Sequence, residues 1–207
     1  MAIANWVKLD KTQGSGNGTV NVSADVHTGR NPRTTEIVFK GANVAEVKRA
    51  VSQAGKLEFV DVDDTASAPK EGKTSLVIKG VSNAYNLHFS QGYYYPEEAD
   101  SHFDFDVPNS YIANSVIVNN GADIPGDPGA SSQYEFSITI SVPPNATTRD
   151  LTAQLVVQSE DGETDSCTIT LAAGDAYIRV TPDKIDLNHL GEAVAVQVES
   201  NVQWSIY

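Results

Sequence analysis

The sequence predicts an all-β protein made of two β-sandwiches, one of them split between the N- and C-termini. Three observations predict it. Val, Ile, Thr and Tyr recur in period-2 alternation; 15 Gly and 9 Pro punctuate the chain, while no stretch keeps the i, i+3, i+4, i+7 spacing of a helix for three turns. The chain also matches itself in order at a nearly constant offset of roughly 116 to 119 residues, the mark of a tandem domain repeat. With 207 residues, it has room for two sandwiches near the roughly 100-residue size at which a core sustains itself.

In chain order, a short strand around Trp6–Leu9 runs into the glycine turn Gly14-Ser-Gly-Asn-Gly18. That turn is not a phosphate loop, because it leads into a strand and no Lys-Ser or Lys-Thr follows. Three strands are then expected, Thr19–Val26, Thr35–Lys40 and Val44–Gln53, separated by Gly29-Arg-Asn-Pro-Arg33 and Gly41-Ala-Asn43. Val20, Val22 and Ala24 alternate inward along the first. Residues 1–56 therefore hold about half a sandwich.

From there the repeat assigns the domains. Val20–Val26, followed by Arg33, lies over Phe136–Val142, followed by Arg149; Ala54–Val60 resembles Ala173–Arg179; Ser75–Asn83 resembles Ala193–Asn201. Residues 57–174 form one complete copy with an expanded loop region, 86–134, including a strand expected over Tyr111–Val118. Residues 175–207 are the N-terminal half of a second copy, and 1–56 are its C-terminal half.

A formal net charge of −13 excludes the clustered-cation footprint of nucleic-acid binding and disfavours an anionic membrane surface. No apolar run approaches the roughly 20 residues of a membrane helix. Cys167 is the single cysteine and reads as a small buried hydrophobe in a strand, so no intrachain disulfide is expected. Met1–Trp6 shows neither a basic n-region nor an apolar h-region, from which no export is expected.

Read tail first, the split copy supplies Val196, Val198, Ser200, Asn201, Trp204, then Trp6, Gly16, Gly18, Val20, Val22, Asn31, Arg33, Ile37 and Gln53. This succession of a Val-rich strand, Ser-Asn, two Trp, a Gly-rich turn, alternating strands around an Asn and Arg loop, and a closing Gln resembles the BACON domain. The complete copy departs from it, with Tyr85 for the first Trp, Leu171 near the place of the Gln, and the expanded middle. The resemblance implies immunoglobulin-like sandwiches. BACON-like domains are associated with carbohydrate or mucin binding on gut bacterial surface proteins, and they also occur in structural proteins of crAss-like phages. Combined with the unexported start, the resemblance implies a virion protein assembled in the host bacterial cytoplasm.

No catalytic, cofactor or metal constellation is visible, and no enzyme is expected. The histidines, His27, His88, His102 and His189, are scattered, and nothing matches a nucleophile elbow, P-loop or paired-cysteine motif. The acidic runs Asp61, Asp63, Asp64 and Glu97, Glu98, Asp100, Asp104, Asp106 read as solvated loops rather than as Ca²⁺ sites. Arg33 and Arg149, taken as equivalent, are expected to fix a hairpin loop through carbonyls or a carboxylate. Tyr93, Tyr94 and Tyr95 are candidate contacts for a partner protein or a glycan.

Half a sandwich leaves an unpaired edge and an apolar face to be covered. The covering segment comes from the same chain in cis or from a neighbour in trans. Immunoglobulin-like domains place their ends at opposite poles, which favours trans and a head-to-tail homo-oligomer. The donor residues expected are Val194, Val196, Val198, Trp204 and Ile206; the receiving core is Trp6, Val20, Val22, Ile37 and Val51. The expected function is thus a non-enzymatic virion component of capsid or tail, with itself and other virion proteins as partners. The alternative is a carbohydrate-binding module using the Tyr93–Asp106 loop.

Overall fold

The structure, a computed structural model, describes residues 3–93 and 101–207. It is an all-β protein. At the N-terminal end, β1 (Val7–Leu9) pairs with β2 (Val22–Ala24), and β3 (Arg33–Phe39) with β4 (Val47–Gln53), as two separate antiparallel sheets. β2 is shorter than the expected Thr19–Val26 because a strand extends only where a neighbour exchanges hydrogen bonds with it, and β1 reaches three of its residues. Of the apolar side chains described in this segment, Val7 and Ile37 are buried.

A complete sandwich follows. Its strands are β5 (Val60–Val62), β6 (Thr65–Ala68), β7 (Lys73–Ser82), β8 (Leu87–Gly92), β9 (Ser110–Ala113), β10 (Val116–Asn119), β11 (Tyr134–Val142), β12 (Leu151–Ser159) and β13 (Thr164–Leu171). One sheet has the order β10-β9-β11-β7-β5, the other β6-β13-β12-β8. Alternation places Tyr134, Phe136, Ile138, Ile140 and Val142 of β11 inward, opposite Leu151, Ala153, Leu155 and Val157 of β12, and these form one core with Phe89, Ile169 and Leu171. Gly80 lies opposite Phe136, whose ring passes where a Cβ would stand, so the glycine lets the ring cross the strand.

The structure differs from the sequence expectation at two places. The strand expected over Tyr111–Val118 is instead the hairpin β9–β10, broken at Asn114 (φ 48°) and Ser115 (φ 66°). Positive φ at both central residues is what a type I′ turn requires, and Asn tolerates it. Asp61, Asp63 and Asp64 are exposed, as expected, but the run is not a loop throughout: Asp61 lies within β5, and Asp63 and Asp64 carry the chain from the first sheet to the second. Asp63 N donates to Lys79 O at 2.9 Å and Asp63 Oδ2 accepts from Lys79 N at 2.9 Å, Asp64 O accepts from Thr168 N at 2.9 Å, and Asp165 Oδ2 accepts from Val62 N at 2.8 Å. β6 then runs parallel to β13.

At the C-terminal end, β14 (Ile178–Thr181) pairs with β15 (Gln197–Ser200) and with no other described strand.

Candidate interaction surfaces

The joint between the N-terminal segment and the complete sandwich is centred on Asn83, fully buried at the end of β7. Its Nδ2 donates to Thr28 O at 3.0 Å and Leu57 O at 3.1 Å, and its Oδ1 accepts from Phe59 N at 3.0 Å. Ser82 Oγ donates to Phe59 O and accepts from Ala84 N. Arg30 adds a lock: Nε donates to Asn83 O at 2.7 Å, the guanidinium pairs with Asp127, lies 3.6 Å from Glu58 and stacks over Tyr85.

The same joint recurs at the other end of the sandwich, each atom pair displaced by 118 positions. Asn201 Nδ2 donates to Ala146 O and Asp175 O, Asn201 Oδ1 accepts from Tyr177 N, and Ser200 Oγ donates to Tyr177 O and accepts from Val202 N. The pairs Asn83 and Asn201, Phe59 and Tyr177, Thr28 and Ala146, Leu57 and Asp175 are all 118 apart. So are the two hairpins: Arg33 faces Gln53 and Phe39 faces Val47, just as Leu151 faces Leu171 and Val157 faces Asp165. This single offset corrects the sequence match of Val20–Val26, which lies over Ile138–Pro144 rather than Phe136–Val142, and with it the pairing of the arginines, since Arg33 corresponds to Leu151 and Arg149 to Asn31. Arg33 does fix its loop. It donates to Asp25 O at 2.8 Å and Gln53 Oε1 at 2.9 Å and stacks on Trp6.

The two joints lie at opposite poles. Ser82 faces Tyr134 at one end of the β7–β11 pair, whereas Lys73 faces Val142 at the other, next to Ala146. The donor and receiving residues expected from the sequence are therefore not brought together within one chain. Val194, Val196, Trp204 and Ile206 are exposed and Val198 is half-buried; at the other pole Val22 is exposed, Trp6, Val20 and Val51 are half-buried, and Ile37 is buried. Ile178, Val180, Ile185 and Leu187 of the C-terminal segment are exposed as well. Charge is divided likewise. Residues 1–56 carry eight Lys and Arg against four Asp and Glu, whereas 175–207 carry two against five.

Tyr93 is held by its own domain. Its hydroxyl donates to Asp104 Oδ1 at 2.6 Å, which raises its pKa, and its ring stacks on His102 with centroids 4.7 Å apart. One ring face is thereby taken. Tyr94 and Tyr95, with Glu97, Glu98 and Asp100, lie outside the described residues. Among the described residues no group of three or more His, Cys, Asp and Glu is placed to hold a metal ion.

Arg30, Asn83 and Asn201 are the joint residues that sequence reading did not single out for a role. Asn83 and Asn201 were within its matched segments, and a buried Asn-Ser pair ending a strand was the signal available for them.

Residues 2–54 match the family model of the BACON domain, described as "Putative binding domain, N-terminal". None of the curated proteins matches the chain.

Proposed function

We propose that this protein is a non-enzymatic structural component of a virion, in capsid or tail, that assembles head to tail by exchanging half-domains. The observation that carries the reading is the pair of joints 118 residues apart: at each pole the sandwich holds, by the same Asn-Ser clamp, the half that the other pole lacks. The complete copy supplies the template for covering both open faces, since its β7 and β11 lie side by side where β15 and β2 each stand without that neighbour among the described residues. Strand addition at such an edge supplies main-chain hydrogen bonds and buries the alternate apolar residues together. Because the two surfaces differ, the contact is heterologous and propagates as a ring or filament. The division of one strand between β5 and β6, with β6 parallel to β13, supports reading the sandwiches as immunoglobulin-like. The virion setting is supported by the resemblance to BACON-like domains of crAss-like phage structural proteins.

The test is mass in solution by light scattering across about a hundredfold range of concentration. We expect the mass to rise above the 22.1 kDa of one chain, and Val196→Asp, on an exposed position, to hold it at one chain without unfolding the sandwich. A mass fixed at one chain throughout the range overturns the assembly. Finding the chain's peptides in purified phage particles tests the setting.

A further inference from the structure

We infer that residues 191–200 of one copy add as an antiparallel strand to residues 16–24 of a second copy in a single register, with Val196 opposite Val20 and Val194 opposite Val22. The inference rests on the half-domain exchange proposed above and specifies its contact.

The register follows from the complete sandwich. There Ile138 faces Ile78 and Ile140 faces Leu76. Moving the β11 partners back by 118 gives Val20 and Val22; moving the β7 partners forward by 118 gives Val196 and Val194. All four template side chains are buried in the core, so the register turns four valines to one interior. A slip by one residue would turn them out.

Backbone direction agrees independently. Successive residues of a strand point their N–H and C=O groups to alternate edges. In β2, Asn21 O accepts from Asp10 N and Asp25 N donates to Trp6 O, so the odd-numbered residues face β1. Val20 and Val22 therefore present their backbone groups to the opposite edge, which no described strand occupies. In β11, Glu135 O accepts from Asn114 N on the β9 side, which leaves Ile138 and Ile140 directed at β7. The free edge of β2 is thus the edge that β7 fills in the template. On the donor, β14 pairs with β15 from Ile178 opposite Ser200, as β5 pairs with β7 from Val60 opposite Ser82. The other edge of β15 is the one that would meet β2. The occupant is a second copy because its hairpin is the segment that repeats β5–β7, and its excess of acid meets the excess of base in residues 1–56.

The test is disulfide trapping in a Cys167→Ala background, which removes the one native thiol. Chains carrying a single new cysteine are mixed in pairs and oxidised. Facing residues on neighbouring strands have Cα atoms about 4.5–5.5 Å apart, within the span a disulfide bridges. We expect Val20→Cys with Val196→Cys, and Val22→Cys with Val194→Cys, to give covalent dimers at least about tenfold faster than Gly18→Cys or Val22→Cys with Val196→Cys. Faster trapping of either mismatched pair overturns the register while leaving the exchange in place. No trapping, with a mass that still rises with concentration, also overturns the register. No trapping with a mass fixed at one chain overturns both the register and the exchange.

Discussion

The Asn83 amide is buried and fills a space bounded by three carbonyls and one backbone N–H, so no other side chain of that size can satisfy the joint. Removing it leaves those groups without partners in a dry interior, at about 1–3 kcal/mol. We expect Asn83→Ala to lower unfolding stability by roughly that amount, and Asn201→Ala, in the same contacts on an open surface, to cost about 1 kcal/mol or less in the single chain. Denaturant melts of both variants measure the difference. Cys167 makes a second prediction. Burial first, and then the charges of Asp63, Asp64 and Asp165, push its thiol up to about 12 from 9.0, and burial pushes the Tyr111 phenol up to about 12. Both groups therefore lose their protons more readily in the unfolded chain. Their contribution is intact below pH 9 and is lost as pH rises through the thiol range toward 12, with a slope of about 1.4 kcal/mol per pH unit for each group. Cys167→Ala moves the onset of alkaline destabilisation up toward the ordinary phenol range, which chemical denaturation at stepped pH will show.

At the scale of single elements, the β9–β10 hairpin shows where local sequence is ambiguous. Tyr111-Ile-Ala-Asn-Ser-Val-Ile-Val118 alternates well enough for one strand, and Asn-Ser is a weaker turn signal than Asn-Gly. The two positive φ values decide for the turn. Since a non-glycine residue pays sterically there, Ser115→Gly is expected to raise stability by about 0.5–1 kcal/mol, read as a higher melting temperature. The all-β class and the inward rows of β7, β11 and β12 were readable in the sequence because period-2 burial leaves a direct trace in residue type. The strand switch at Asp63 and Asp64 was not, because a carboxylate that bonds backbone N–H groups looks the same in sequence as one in water. The Arg30 lock was hidden for another reason. Its partners Glu58, Asn83 and Asp127 are brought together only by the fold.

Across the whole molecule, charge is arranged in three blocks. The first 56 residues carry a net +4 and the last 33 a net −3, so the 118 residues between them hold the remaining −14 of the −13 total. Two copies meeting head to tail bring the unlike blocks into contact, whereas their like-charged middles stay a domain's width apart. These opposing forces are screened over different ranges. At 0.01 M salt the Debye length is about 30 Å and the middles repel; at 0.15 M it is about 8 Å, which suppresses that repulsion and spares the contact; at 1 M it is about 3 Å and the contact attraction fades as well. Association measured by light scattering in sodium chloride is therefore expected to pass through a maximum, at roughly 0.1–0.5 M. It should not fall to zero at 1 M, because burial of Val20, Val22, Val194 and Val196 does not depend on screening. A steady rise up to 1 M would mean that apolar burial alone drives assembly, and a steady fall from the lowest salt that the middles do not oppose it.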